Sequence, residues 1–144
     1  MKRVALLITV SILAALAASA MAAGRGPATI GTRHTALGTF LVSGGRSLYL
    51  FQADSRNQST CSGPCAGTWP PLTTTGRPKA SAGVKASLLG TIKSGSTEQV
   101  TYNGHPLYTY SGDTKLGDTN SLDLKLFGAK WFLVNAQGAA ITKH

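Results

Sequence analysis

Leu48-Tyr49-Leu50-Phe51-Gln52-Ala53-Asp54 returns 59 residues later as Leu107-Tyr108-Thr109-Tyr110-Ser111-Gly112-Asp113. Both copies read tyrosine, any residue, aromatic, two of any kind, aspartate. Each follows a turn, Gly44-Gly45 in the first and Asn103-Gly104 in the second. Such pairs supply the positive φ angles of two-residue hairpin loops. Successive side chains of a strand point to opposite faces, so Tyr49 and Phe51 share one face and Leu48 and Leu50 the other. A strand apolar on both faces must be covered on both, which predicts a central strand.

Outward from the motif, Thr39-Phe40-Leu41-Val42 reads as the strand before the first turn. Gln99 and Thr101 alternate with Val100 and Tyr102 before the second. Pro106 donates no backbone hydrogen bond and belongs at a strand start or an edge. Overlaid at the same offset, Leu41 meets Val100, Thr60 meets Thr119 and Cys61 meets Asn120. Trp69 finds its counterpart, Trp131, three residues further on. The pattern predicts a mainly β fold, a single domain of two hairpin-based repeats forming a small antiparallel sandwich or open barrel. The repeats span about residues 36–72 and 90–141, within a β-rich domain over 36–144. Residues 73–83 read as a surface linker, and residues 23–35 as a flexible leader in which Ile30 could dock.

The opening has the layout of a secretory signal peptide over residues 1–22. Lys2 and Arg3 precede an apolar run from Val4 to Ala17, and Ala18-Ser19-Ala20-Met21-Ala22 offers small-residue cleavage positions. No cysteine lies near that junction to accept a lipid. Cleavage would leave no transmembrane segment, and an exported chain, periplasmic or secreted and not lipid-anchored, is expected. The 144-residue chain has 14 Lys and Arg against 5 Asp and Glu, a net charge of +9. The basic residues are scattered, which suits an anionic cell-envelope surface. Nucleic acid is not expected, because its footprint clusters basic residues and interleaves them with aromatics.

Several residue groups invite a chemical reading. Tyr49, Phe51, Tyr108 and Tyr110 could form a stacking platform with Asp54 and Asp113 as polar handles. The structural reading is favoured, with the rings filling a core and each aspartate capping a local turn. Cys61 and Cys65, the only cysteines, are expected as a disulfide in an exported chain. A thiol-redox pair would need an exposed thiolate. A copper site would add His105 to the two thiolates, so copper is the alternative to an expected absence of cofactors. His105 itself reads as an exposed turn residue, and His34 and His144 lie near the chain ends. Asp113, Asp118, Asn120 and Asp123 offer oxygens for calcium, but their spacing departs from the EF-hand loop. No nucleophile, phosphate-loop or paired-carboxylate constellation stands out, so no catalytic residue is expected.

The motif pair, with Ser59-Thr60-Cys61-Ser62-Gly63-Pro64-Cys65-Ala66, Trp69-Pro70-Pro71-Leu72, Val100 to Tyr108 and Gly117-Asp118-Thr119-Asn120, resembles the bacterial secreted-repeat family. That family is also described as predicted lipoproteins with a Y-x-[FWY]-x-x-D motif. The likeness runs from about residue 36 to 138. It implies an exported tandem-repeat protein without an established activity. The expectation is a non-enzymatic envelope or extracellular protein with a binding or structural role; the alternative is a copper-binding or thiol-redox protein centred on Cys61 and Cys65.

Overall fold

The computed structural model describes residues 26–142; the signal-peptide segment and His144 lie outside the described residues. Repeat one opens with strand β1 (Thr29–Thr35), then β2 (Gly38–Ser43), β3 (Arg46–Ser47) and β4 (Tyr49–Phe51). A short helix α1 (Pro64–Thr68) follows, then β5 (Thr73–Thr74) and β6 (Lys79–Ala80). A 3-10 turn (Ala86–Leu88) leads into repeat two, with β7 (Leu89–Ser94), β8 (Thr97–Tyr102) and β9 (His105–Pro106). The chain closes with β10 (Lys125–Leu126), β11 (Ala129–Val134) and β12 (Ala140–Ile141).

The fold is mainly β, as expected. Its strands form three four-stranded sheets that do not close into a barrel. One orders β3-β2-β1-β6, one places β11 among β10, β12 and β4, and one places β8 among β5, β7 and β9. All pairings are antiparallel except the short β1–β6 contact. The glycine turns form as read. Gly44 and Gly45 take φ of 57° and 78°, and Asn103 and Gly104 take 49° and 80°. Positive φ at both central residues gives the turn that matches the right-handed twist of the flanking strands.

The flexible leader needs correcting. Its residues 29–35 are β1, paired with β2 over five positions from Gly31↔Val42 to Thr35↔Gly38. Ile30 is fully buried. The signal for this strand was present, because Ile30-Gly31-Thr32 and Leu89-Gly90-Thr91 lie 59 residues apart. β1 is therefore the counterpart of β7. The linker over 73–83 also differs from expectation. Its ends are woven into the sheets, with Thr73 opposite Gln99 and Lys79 beside Thr29. Pairing satisfies backbone groups that a free linker would leave to water.

Two clusters of buried side chains lie on the two faces of the motif strand. Leu48 and Leu50 join Ile30, Leu41, Val100, Leu107, Phe132 and Val134 on one side. Tyr49 and Phe51 join Phe40, Trp69, Tyr108, Trp131 and Leu133 on the other. Both clusters draw on both repeats, and the central position of the motif strand follows from them. Residues 26–83 expressed alone should therefore lack fixed tertiary structure. Near-ultraviolet circular dichroism should show a native signal only when they are refolded with residues 84–142.

Candidate functional site

The two motif copies meet each other. Tyr49 and Tyr108 form an antiparallel bridge, the Tyr49 amide donating to the Tyr108 carbonyl at 2.8 Å and the Tyr108 amide to the Tyr49 carbonyl at 3.0 Å. Equivalent residues bonded reciprocally place a local two-fold axis between them. Their side chains then cross it. The Tyr49 hydroxyl donates to Asp113 Oδ2 at 2.7 Å, and the Tyr108 hydroxyl to Asp54 Oδ2 at 2.6 Å. Each tyrosine thus binds the aspartate of the other repeat.

The second oxygen of each carboxylate holds the loop that follows it. Asp54 Oδ1 accepts from the Thr60 amide at 2.7 Å and the Thr60 hydroxyl at 2.9 Å. Asp113 Oδ1 accepts from the Asn120 amide at 2.9 Å. The aspartates therefore act over longer spans than the local turns expected of them. The bonding also corrects the overlay: Thr60 corresponds to Asn120, so Cys61 corresponds to Ser121. The second loop is one residue longer at that point. Each loop also clasps the opposite turn, with the Asn57 amide donating to the Gly104 carbonyl and the Gly117 amide to the Gly45 carbonyl.

The remaining motif rings stack in a column. Phe51 lies on Trp131 at 4.2 Å between centroids, Trp131 on Trp69 at 4.2 Å, and Trp69 on Tyr110 at 5.0 Å. The column alternates between repeats and reads the same from either end under the local axis. Trp69 and Trp131 are fully buried, and the Trp69 indole donates to Ser121 Oγ at 3.1 Å. No buried side-chain nitrogen or oxygen among the described residues lacks a partner. The rings leave no free face for a ligand except at half-buried Tyr110.

Electrostatics follow from this burial. Desolvation, then the bond to Asp113, raises the Tyr49 pKa well above its ordinary value. Desolvation, then the bond to Asp54, does the same for Tyr108. Both stay protonated donors. The Asp113 carboxyl is also raised, chiefly by desolvation and against the pull of its Tyr49 and Asn120 donors.

Cys61 and Cys65 are bonded to each other across the start of α1, with Cα atoms 5.2 Å apart. Both sulfurs lie in the aromatic cluster, which leaves neither thiolate free as a soft ligand. Among the described residues no group of three His, Cys, Asp or Glu side chains lies close enough together to hold a metal ion. His105 sits in β9 opposite Tyr102, half-buried rather than exposed. Burial first and Arg56 second lower its pKa from the ordinary value, which favours the neutral imidazole. His34 lies within β1, where its Nδ1 meets Thr39 Oγ1 at 2.9 Å, not on a mobile end. Asp118 Oδ2 accepts the amides of Thr114 and Lys115.

Two of the open grooves are related by the local axis. One, of about 360 Å³, runs between Thr73–Gly76 and Ser96–Glu98. The other, of about 690 Å³, runs between Leu37–Thr39 and Asn135–Gln137, extending to Ile141. The first pair of segments maps onto the second under the local axis, since Thr73 pairs with Gln99 as Asn135 pairs with Phe40. Neither groove gathers a cluster of titratable groups.

Tyr49→Phe should lower stability by about 2 kcal/mol, because it strips Oδ2 of the buried Asp113 carboxylate of its donor and leaves only the Asn120 amide on Oδ1. Tyr108→Phe should cost less, since half-buried Asp54 keeps two bonds from Thr60. Urea titration of the two variants reads the order. A raised folded-state carboxyl binds its proton more tightly than the unfolded chain does. Asp113 should therefore add stability as pH falls through the window just above the ordinary carboxylate range, and that gain should vanish in Asp113→Asn. Reducing the disulfide should cost at most about 2 kcal/mol, the chain-entropy value for so short a loop. The untreated protein should have a mass two hydrogens below its dithiol form.

No curated protein and no solved structure matches the chain. A family model matches it twice, over residues 31–73 and 91–135. These segments fall on the two halves that the local axis relates, and together they cover more than half of the sequence. The chain belongs to the family described as a secreted repeat of unknown function.

Proposed function

We propose that this is an exported, non-catalytic protein that works by attaching to an anionic surface of the cell envelope. The observation that carries the reading is how the few acidic groups are used. Asp54 and Asp113 hold the repeats together, and Asp118 closes a turn. Asp123 pairs with Lys130 at 3.7 Å, the one ion pair among the described residues. Among the described residues the other lysines and arginines are exposed, only Lys93 standing opposite an acidic residue, Glu98, in the β7–β8 ladder, and the full chain carries a net charge of +9. Such a surface attracts polyanions over roughly one Debye length.

The non-catalytic part of the reading rests on the motif. Its hydroxyls and carboxylates are occupied by one another, so the most repeated chemistry in the chain serves the fold. The family description supports the extracellular setting. Among the described residues no helix is long and apolar enough to cross a membrane.

The test is binding to a soluble polyphosphate. The protein should be retained at low ionic strength and released as salt approaches about 1 M, where screening shortens to about 3 Å. Salt-independent binding, or no binding at all, would overturn attachment by charge.

A further inference from the structure

The hairpin of β10 and β11 carries three features that are unfavourable in a solvent-exposed hairpin. Its turn residues Phe127 and Gly128 take φ of 58° and 90°. A two-residue turn of this kind favours Asn, Asp or Gly, and a bulky aromatic at positive φ is an outlier. Backbone strain of this sort persists where the surroundings over-determine it, and it concentrates at functional sites. Phe127 is also 48% exposed and its neighbour Leu126 44% exposed, two of the three large apolar side chains left on the described surface. Finally, Lys125 and Lys130 stand directly opposite each other across the ladder. Like charges in that position are unfavourable, and Asp123 offsets only one of them.

The tip is nevertheless held firmly. The Trp131 indole donates to the Leu126 carbonyl at 3.4 Å, and the Phe127 ring stands edge-on to Trp69 at 6.0 Å. The aromatic column thus carries a strained apolar point with a cationic collar. A soluble polyanion would engage the lysines but gives no account of Phe127. A bilayer with anionic headgroups engages both, because apolar side chains enter the acyl boundary while lysines meet the headgroup phosphates.

We infer that the β10–β11 tip is a membrane-surface contact, with Leu126 and Phe127 entering an anionic leaflet and Lys125 and Lys130 meeting lipid phosphates. This rests on the surface-attachment reading above and adds its site and its lipid partner.

Flotation of the purified chain with vesicles tests it. The vesicles are phosphatidylcholine alone or phosphatidylcholine with phosphatidylglycerol, and soluble polyphosphate is assayed in parallel. The wild type should float with the phosphatidylglycerol vesicles and much less with the neutral ones. Phe127→Asn should reduce that partitioning about tenfold, the scale for withdrawing one buried aromatic. Asn accepts positive φ, which offsets the lost edge contact with Trp69, so the same variant should melt close to wild type, which separates lost binding from lost folding. Leu126→Thr should weaken partitioning similarly, and Lys125→Gln should reduce the preference for phosphatidylglycerol. Wild-type partitioning in both Phe127→Asn and Leu126→Thr would overturn the tip and leave surface attachment standing. Binding to polyphosphate without binding to vesicles would overturn the lipid partner alone. Failure to bind either polyanion or vesicle would overturn both readings.

Discussion

The structure depends on one exchange across a local two-fold axis: Tyr49 to Asp113 and Tyr108 to Asp54, with the Tyr49 and Tyr108 backbones bonded between them. A hydroxyl bonded to a buried carboxylate contributes more than a neutral pair, on the order of 1.5–3 kcal/mol. Its greater effect is on specificity. Phe in place of Tyr would keep the packing but leave one oxygen of the opposite carboxylate without its donor. Each half of the chain therefore holds an acceptor that only the other half satisfies.

The aromatic column builds on this exchange. Once Tyr49 and Tyr108 are aligned, residues two positions on, Phe51 and Tyr110, fall at opposite ends of the column. Trp131 and Trp69 lie on the neighbouring segments and fill the space between them. Stacked rings contribute roughly 0.5–1.5 kcal/mol per pair beyond the area they bury. The column thus contributes on the same scale as the hydrogen bonds and the five-residue disulfide loop. The disulfide instead shapes the first loop, where its counterpart in the second is Ser121, the partner of the Trp69 indole. One loop is closed covalently, and the other is tied through Ser121 to the tryptophan of the first repeat.

Function then falls to what the axis does not use. The motif, with its tyrosines and carboxylates, is the most conspicuous chemistry in the chain, and it is spent internally. The surface is left basic, with shallow grooves and one strained apolar hairpin tip. These features lie outside the tyrosine–aspartate exchange that joins the two repeats.

The residue order alone determined the β class, the two repeats, the glycine turns, the two-faced motif strand and the resemblance to a secreted-repeat family. These are legible because strand alternation, turn chemistry and internal repetition are local or periodic. It also contained the strand over residues 29–35, through Ile30-Gly31-Thr32 against Leu89-Gly90-Thr91. That signal is weak, since the strand is half-exposed and lacks an alternating pattern. Only the tertiary structure decided that each tyrosine serves the opposite aspartate, that Cys61 corresponds to Ser121, and that four rings form one column. A repeat in sequence is equally compatible with two copies side by side and with two copies interlocked. Burial selects between them, because an unpaired carboxylate and an uncovered aromatic face are both costly until the second copy closes over the first.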